Sequence, residues 1–114
     1  MSELKVSIVI PTMNRSDFLR RSLYYYAKSK YKGWIYIGDS SESSHIKRTK
    51  ETVRELEDRL KIKYFAFPQL NDSQCIKSLL EAVETPYVAF VADDDLLVPS
   101  GMDKCVAFLV VLCL

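Results

Sequence analysis

The chain is poor in the residues that build phosphate loops, metal centres and flexible linkers. Its three glycines form neither a GxxxxGK nor a GxGxxG pattern, which excludes a P-loop ATPase and the usual dinucleotide-binding turn. The only histidine is His45, and the three cysteines, Cys75, Cys105 and Cys113, make no short pairing such as CxxC, which excludes the common zinc frameworks. Three unpaired thiols suit a reducing compartment. Charge of one sign is also lacking. Sixteen Lys+Arg against fifteen Asp+Glu leave a net +1, so no global field points to nucleic acid, and any anion has to be bound locally. Long apolar runs are absent too. The stretch that Pro11 stops is too short and wrongly flanked for a secretory signal. The run Val106 to Leu114 reaches only about half of the ~20 residues of a membrane helix. These features predict a cytoplasmic protein, free or at the inner face of a membrane, with no transmembrane segment and no nucleic-acid partner.

What is present is regular. At 114 residues the chain is one domain or part of one, short for an α/β enzyme with two substrates. Four runs rich in β-branched and aromatic residues read as strands: Val6 to Ile10, Trp34 to Ile37, Ile62 to Phe67 and Tyr87 to Val91. Three of them are nearly continuously apolar, which favours a parallel sheet covered on both faces. Helical spacing fills the gaps. One helix opens at Ser16, with Phe18, Leu19, Leu23 and Tyr26 along its inner side. A second spans Ser44 to Leu60, with Ile46, Val53, Leu56 and Leu60 inward and its charges in solvent. A third runs from Asp72 to Val83, with Ile76, Leu79, Leu80 and Val83 inward, and a fourth starts near Pro99. The order β-α-β-α-β-α-β-α predicts an α/β, Rossmann-like, doubly wound and mostly parallel sheet.

In such sheets ligands bind at the carboxyl ends of the strands. The polar clusters Pro11-Thr12-Met13-Asn14-Arg15, Gly38-Asp39-Ser40-Ser41 and Ala92-Asp93-Asp94-Asp95 all follow strands, so they share one rim. Three adjacent carboxylates repel unless a cation or proton intervenes. Mg²⁺ or Mn²⁺ suits them, since these ions take one or two carboxylates together with waters and phosphates. The plainer alternative is a loop whose acids cap a helix or face water. Asp39 suits a ribose hydroxyl or a base N–H, with Gly38 allowing an unusual backbone angle or the close approach of a ligand; alternatively Asp39, Ser40 and Ser41 make an Asx- or Ser-type turn. Arg15 precedes a helix N-terminus, where a basic side chain opposes the dipole, which a nearby anion explains better than helix stability does. Lys77 reads first as a solvated helix residue.

With these motifs in view, the chain resembles the N-terminal part of family 2 glycosyltransferases, which have the GT-A fold. The resemblance runs from about Val6 to Met102, through VSIVIPTMNRSDFLRRSL, IYIGDSS and TPYVAFVADDDLLVP. It implies a hexosyl or related sugar transfer from a nucleoside-diphosphate sugar, a UDP-sugar first, with inversion and dependence on Mn²⁺ or Mg²⁺. By resemblance Pro11, Thr12, Asn14, Arg15 and Asp39 meet the base and ribose, Lys77 lies near the place of a basic residue that approaches the phosphates, and Asp93 and Asp94 meet the donor. Asp94 and Asp95 are the implied metal ligands. Two departures stand out. The family's Asp-x-Asp-Asp begins where this chain has Ala92, and its Asp-Asp-Gly-Ser turn is here Asp39-Ser40-Ser41-Glu42.

Complete family members are about twice as long, and their second half supplies the acceptor site and the general base. No residue here is assigned that base, and the acceptor, whether glycan, lipid or protein, is unassigned. Residues 1–114 therefore read as the nucleotide-sugar-binding part of an incomplete domain, the apolar end reading as that of a truncated, frameshifted or partial coding region. Three functions follow: a transferase or its donor-binding half, a truncated nucleotide- and metal-binding module that cannot transfer, and a structural protein reusing the fold. The retained aspartates favour the first two.

Overall fold

The structure, a computed structural model, describes residues 5–68, 70–97 and 101. Strands and helices alternate as β1 (Val6–Thr12), α1 (Ser16–Lys28), β2 (Trp34–Asp39), α2 (Ser43–Leu56), β3 (Lys61–Ala66), α3 (Asp72–Ala82) and β4 (Tyr87–Phe90). The strands form one sheet in the order β3-β2-β1-β4, and every pair is parallel. The helix expected from Pro99 and the apolar end Val106 to Leu114 lie outside the described residues.

Strand periodicity divides the core between the two faces. Ile8, Ile10, Ile35 and Ile37 point to one side, where Leu19, Leu23 and Tyr26 of α1 and Leu56 of α2 cover them. Val9 and Tyr36, one residue out of step, point to the other side and pack with Cys75 and Leu79 of α3. Both faces of β1 and β2 are thus roofed, which is why these two strands read as continuous apolar runs, whereas the edge strands β3 and β4 are only partly buried and Phe90 is 52% exposed. Each fully enclosed Leu or Ile contributes about 1.5–3 kcal/mol relative to exposure.

Local chemistry sets the boundaries. Asn71 caps α3 by accepting from the Gln74 amide at 2.9 Å, and the Gln74 side chain returns the bond to the Asn71 amide at 3.0 Å, a reciprocal capping box. At the end of α2 the Leu60 amide turns back onto the Leu56 carbonyl at 2.9 Å. The Arg59 amide shares that carbonyl at 2.9 Å, a tightened last turn, and the helix ends at Leu56, short of the expected Leu60.

Several side chains face elsewhere than their spacing suggests. Phe18 is 43% exposed, lying outside the core with the Arg15 and Arg21 guanidinium groups over its ring. Leu80 is likewise exposed, and Cys75 and Leu79 take the inner positions of α3. On α2, Thr49, Thr52 and Leu56 are buried, while Ile46 and Val53 are only half-buried. The helix is rotated toward α1, where Arg20 reaches Thr52 Oγ1 at 3.2 Å and Glu55 at 2.7 Å.

Gly38 has its own reason. No glycine among the described residues has a positive φ. A Cβ at Gly38 would lie 2.5 Å from Cys75 Sγ and 2.8 Å from Leu79 Cδ1. The missing side chain therefore admits α3 onto β2, and neither an unusual backbone angle nor a ligand's approach accounts for it.

The parallel register levels the strand ends. Thr12 stands opposite Asp39, and Asp39 opposite Ala66. The chain runs from β1 outward to β2 and β3, then returns to place β4 on the other side of β1. That reversal creates a crevice at the carboxyl ends of β1 and β4, the usual ligand position in open α/β sheets.

Candidate functional site

The loop after β1 and the turn after β4 meet at that crevice. Thr12 Oγ1 donates to Asp93 Oδ2 at 2.8 Å, and Arg15 Nε lies 3.2 Å from Asp93 Oδ1. Both oxygens of Asp93 are thereby engaged, and the residue is only 6% exposed. A second guanidinium nitrogen of Arg15 lies 3.0 Å from Asp94 Oδ2, with both side chains open to solvent. Asp95 is exposed. Three consecutive aspartates thus grade from buried and saturated to free, and one arginine offsets the charge of the inner two.

Helix α1 holds this turn at further points. Ser22 Oγ donates to the Asp93 carbonyl at 2.6 Å, and the Leu97 amide donates to the Tyr26 hydroxyl at 3.1 Å. Burial raises the Tyr26 hydroxyl above its ordinary pKa, partly offset by that amide. Ser22 and Tyr26 were not anticipated as site residues. The available signal was a hydroxyl at Ser22 inside the apolar stripe of Leu19, Leu23 and Tyr26, since a buried hydroxyl has to find a partner.

A second station lies at the end of β2. Asp39 is fully buried. Its Oδ2 accepts from the Tyr64 hydroxyl at 2.7 Å and its Oδ1 from the Ser41 amide at 3.0 Å. The second bond is the Asx turn that the residue types suggested. Burial first, and then the Asp39 carboxylate, push the Tyr64 hydroxyl far above its usual pKa. Tyr64 was also missed: inside an apolar strand it reads as core, and only the fold brings it to Asp39.

Asn14 joins the two stations. It has a left-handed backbone, φ 54, which Asn tolerates better than most residues. Its amide donates to Ser41 Oγ at 2.7 Å, and its side-chain oxygen accepts from the Glu42 amide at 2.8 Å. The Ser40 amide closes the seam on the Thr12 carbonyl at 3.0 Å. The Asn14 side chain is therefore engaged in linking the first two loops. Close by, Ser16 Oγ and His45 Nδ1 lie 2.9 Å apart and tie the start of α1 to α2.

Between the first loop, the N-terminal turn of α3 and the turn after β4 lies an open cleft of about 270 Å³, with Pro11, Thr12, Arg15, Asp72, Ile76 and Asp93 among its walls. The fold brings Pro11, Thr12, Arg15 and Asp93 to this cleft, with Asp94 paired to Arg15 beside it. Lys77 is exposed on α3 and is not part of the lining.

No family model matches the chain, and no curated protein does. Solved structures do. The chain is similar to S. aureus TarS, with 22% identity and a TM-score of 0.74 over 92% of this chain and 19% of that one. It is similar to S. aureus TarS 1-349, with 20% identity and a TM-score of 0.73 over 92% of this chain and 32% of that one. It is also similar to the mannosyltransferase PcManGT from Pyrobaculum calidifontis, solved in complex with GDP-Man and Mn²⁺, with 16% identity and a TM-score of 0.69 over 84% of this chain and 29% of that one. The fold is GT-A-like. It is that of part of these glycosyltransferase structures, since the chain spans between about a fifth and a third of their length. At such identities the likeness establishes architecture alone.

Among the described residues no group of three His, Cys, Asp or Glu side chains could hold a metal ion. No helix among them is long and apolar enough to cross a membrane.

Proposed function

We propose that this chain is the donor-binding part of a glycosyltransferase that takes a nucleoside-diphosphate sugar, UDP-sugars first, and transfers its sugar with inversion. The observation carrying this reading is the graded Asp93-Asp94-Asp95 turn directly after β4, beside an open cleft at the switch point of a GT-A-like sheet. The neighbour solved with GDP-Man and Mn²⁺ supports a nucleotide sugar and a divalent ion as the class of ligand.

A divalent ion suits the donor set. Mg²⁺ and Mn²⁺ keep waters and phosphate oxygens and need only one or two protein carboxylates, so a cluster of three is not required. Asp94 and Asp95 are the exposed members of the turn and are proposed to supply those oxygens. When bound, the ion offsets the charge of the departing diphosphate. Pro11, Thr12 and Arg15 are proposed to line the nucleotide's path. Asp93 holds the first loop against the turn, and Asp39 shapes the β2 side of the rim through its hydrogen bonds to Tyr64 and Ser41. Asn14 acts by fixing the first loop, and Lys77 would reach a phosphate only from outside the cleft as it stands. No residue is assigned as the base that activates an acceptor hydroxyl.

A second reading is that these 114 residues bind nucleotide and metal without themselves transferring; they span 19% and 32% of the TarS chains that they match. Both readings require donor binding. Thermal unfolding of the chain with Mn²⁺ plus UDP, GDP or ADP, each repeated with EDTA, tests that requirement. A ligand at about a hundredfold excess over its Kd stabilises by about 2.7 kcal/mol. Metal-dependent stabilisation by at least one nucleotide is expected. No shift with any nucleotide, in protein shown to unfold cooperatively, would contradict both readings.

A further inference from the structure

Arg15, proposed above to line the nucleotide's path, is held in this structure by two acids of the β4 turn. It occupies the N-cap of α1 without making a side-chain cap there, and a positive charge at a helix N-terminus opposes the dipole. Its placement follows from the acids opposite. The guanidinium forks: Nε lies 3.2 Å from buried Asp93, while the outer nitrogen lies 3.0 Å from exposed Asp94. The ring of Phe18, 4.5 Å from the guanidinium carbon, supports its other side.

The two arms differ in permanence. Asp93 is enclosed and also receives the Thr12 hydroxyl, so breaking its pair would strand a buried charge. The Asp94 arm is open at both ends, with 42% and 43% of the two side chains exposed, and an exposed pair of this kind contributes little and exchanges readily. We propose that Arg15 is a built-in competitor for the divalent cation at Asp94, anchored on Asp93 by one arm and yielding Asp94 from the other when the cation arrives. This rests on the donor-site reading above. The guanidinium supplies positive charge beside Asp93 and Asp94. When metal and diphosphate enter together, the released arm of Arg15 faces the incoming phosphates, so the cation's arrival and the freeing of an anion-binding group are one event.

The test is binding of Mn²⁺ alone, followed by the electron paramagnetic resonance signal of the free ion, to the wild-type chain, Arg15→Lys and Arg15→Gln, with the fold of each checked by circular dichroism. Lysine keeps a charge beside Asp93 but lacks the planar fork, so Arg15→Lys guards against a variant that fails for want of folding. Because an exposed pair is worth a fraction of a kcal/mol to about 1, Arg15→Lys should bind Mn²⁺ about two- to fivefold more tightly than wild type. Arg15→Gln, which also removes the repelling charge, should bind more tightly still. Equal or weaker Mn²⁺ binding by folded Arg15→Lys and Arg15→Gln overturns the proposal, as does the absence of Mn²⁺ binding in all three proteins. UDP titrations on the same samples separate the two ideas. If the wild type shows Mn²⁺-dependent UDP binding while the variants leave Mn²⁺ affinity unchanged, only the competitor role fails. If the wild type shows no metal-dependent nucleotide binding, the donor-site reading itself fails.

Discussion

Two acidic stations share the rim of the sheet, and they are built in opposite ways. Asp39, at the end of β2, is enclosed, with each carboxylate oxygen engaged by a neighbour from its own side of the sheet. The Asp93-Asp94-Asp95 turn after β4 is graded, with an inner acid saturated by Thr12 and Arg15 and two outer acids open to solvent. One station is committed before any ligand arrives. The other holds charge that only a partially exposed arginine offsets. The contrast separates carboxylates that shape a site from carboxylates left available to bind, a distinction that neighbouring aspartates of the same type do not show by themselves.

The most disruptive way to probe this contrast is at Asp39. Asp39→Ala strands the Tyr64 hydroxyl and the Ser41 amide together and should cost about 3 kcal/mol of stability in urea unfolding, since each orphaned buried donor costs about 1–3 kcal/mol. A loss below about 1 kcal/mol would show that the enclosure is loose. Asp93→Ala should follow at about 2 kcal/mol, because the Thr12 hydroxyl loses its acceptor while Arg15 keeps Asp94.

Tyr64→Phe removes one hydrogen bond and should cost about 1 kcal/mol near pH 8. Its pH dependence is sharper than its size. Burial and Asp39 hold the Tyr64 hydroxyl above its ordinary 10.0, so above about pH 10 the unfolded chain releases a proton that the folded chain keeps. The hydroxyl's stabilisation is complete below pH 10 and falls as pH rises beyond it. The stability gap between wild type and Tyr64→Phe should therefore narrow from pH 10 upward in paired urea melts. Cys75 and Tyr26, also raised by burial, are common to both proteins and leave the difference untouched. The smallest effects belong to the outer acids: Asp94→Ala and Asp95→Ala should each change stability by less than about 0.5 kcal/mol, as exposed positions do.

Much of the architecture was legible because burial on both faces leaves a strong mark. The runs around Val6, Trp34, Ile62 and Tyr87 appear as strands in the expected order, and α1 opens at Ser16 as its spacing suggests. Helix faces were less legible. Phe18, Leu80 and Ile46 are apolar residues at helical spacing that remain wholly or partly exposed: Phe18 lies under arginines outside the core, Cys75 and Leu79 take the inner positions of α3, and α2 turns toward α1. At the rim, strand-end position brought the three polar clusters together, which periodicity alone can indicate. Periodicity could not indicate which acid would be buried. Tyr64 reaches Asp39 across 25 positions and Thr12 reaches Asp93 across 81, distances at which no local pattern carries information. Gly38 was legible as a special position, but its reason lay in α3, a later element.

The outer acids of the β4 turn are proposed to serve a metal-bound diphosphate. Calorimetric titration of UDP and of GDP, with and without Mn²⁺, on the wild-type chain and on Asp94→Ala tests it most directly. Nucleotide binding that requires Mn²⁺ in the wild type and is lost in folded Asp94→Ala is the expected result. Metal-dependent binding that survives Asp94→Ala unchanged, or no nucleotide binding by folded wild-type protein, would contradict it.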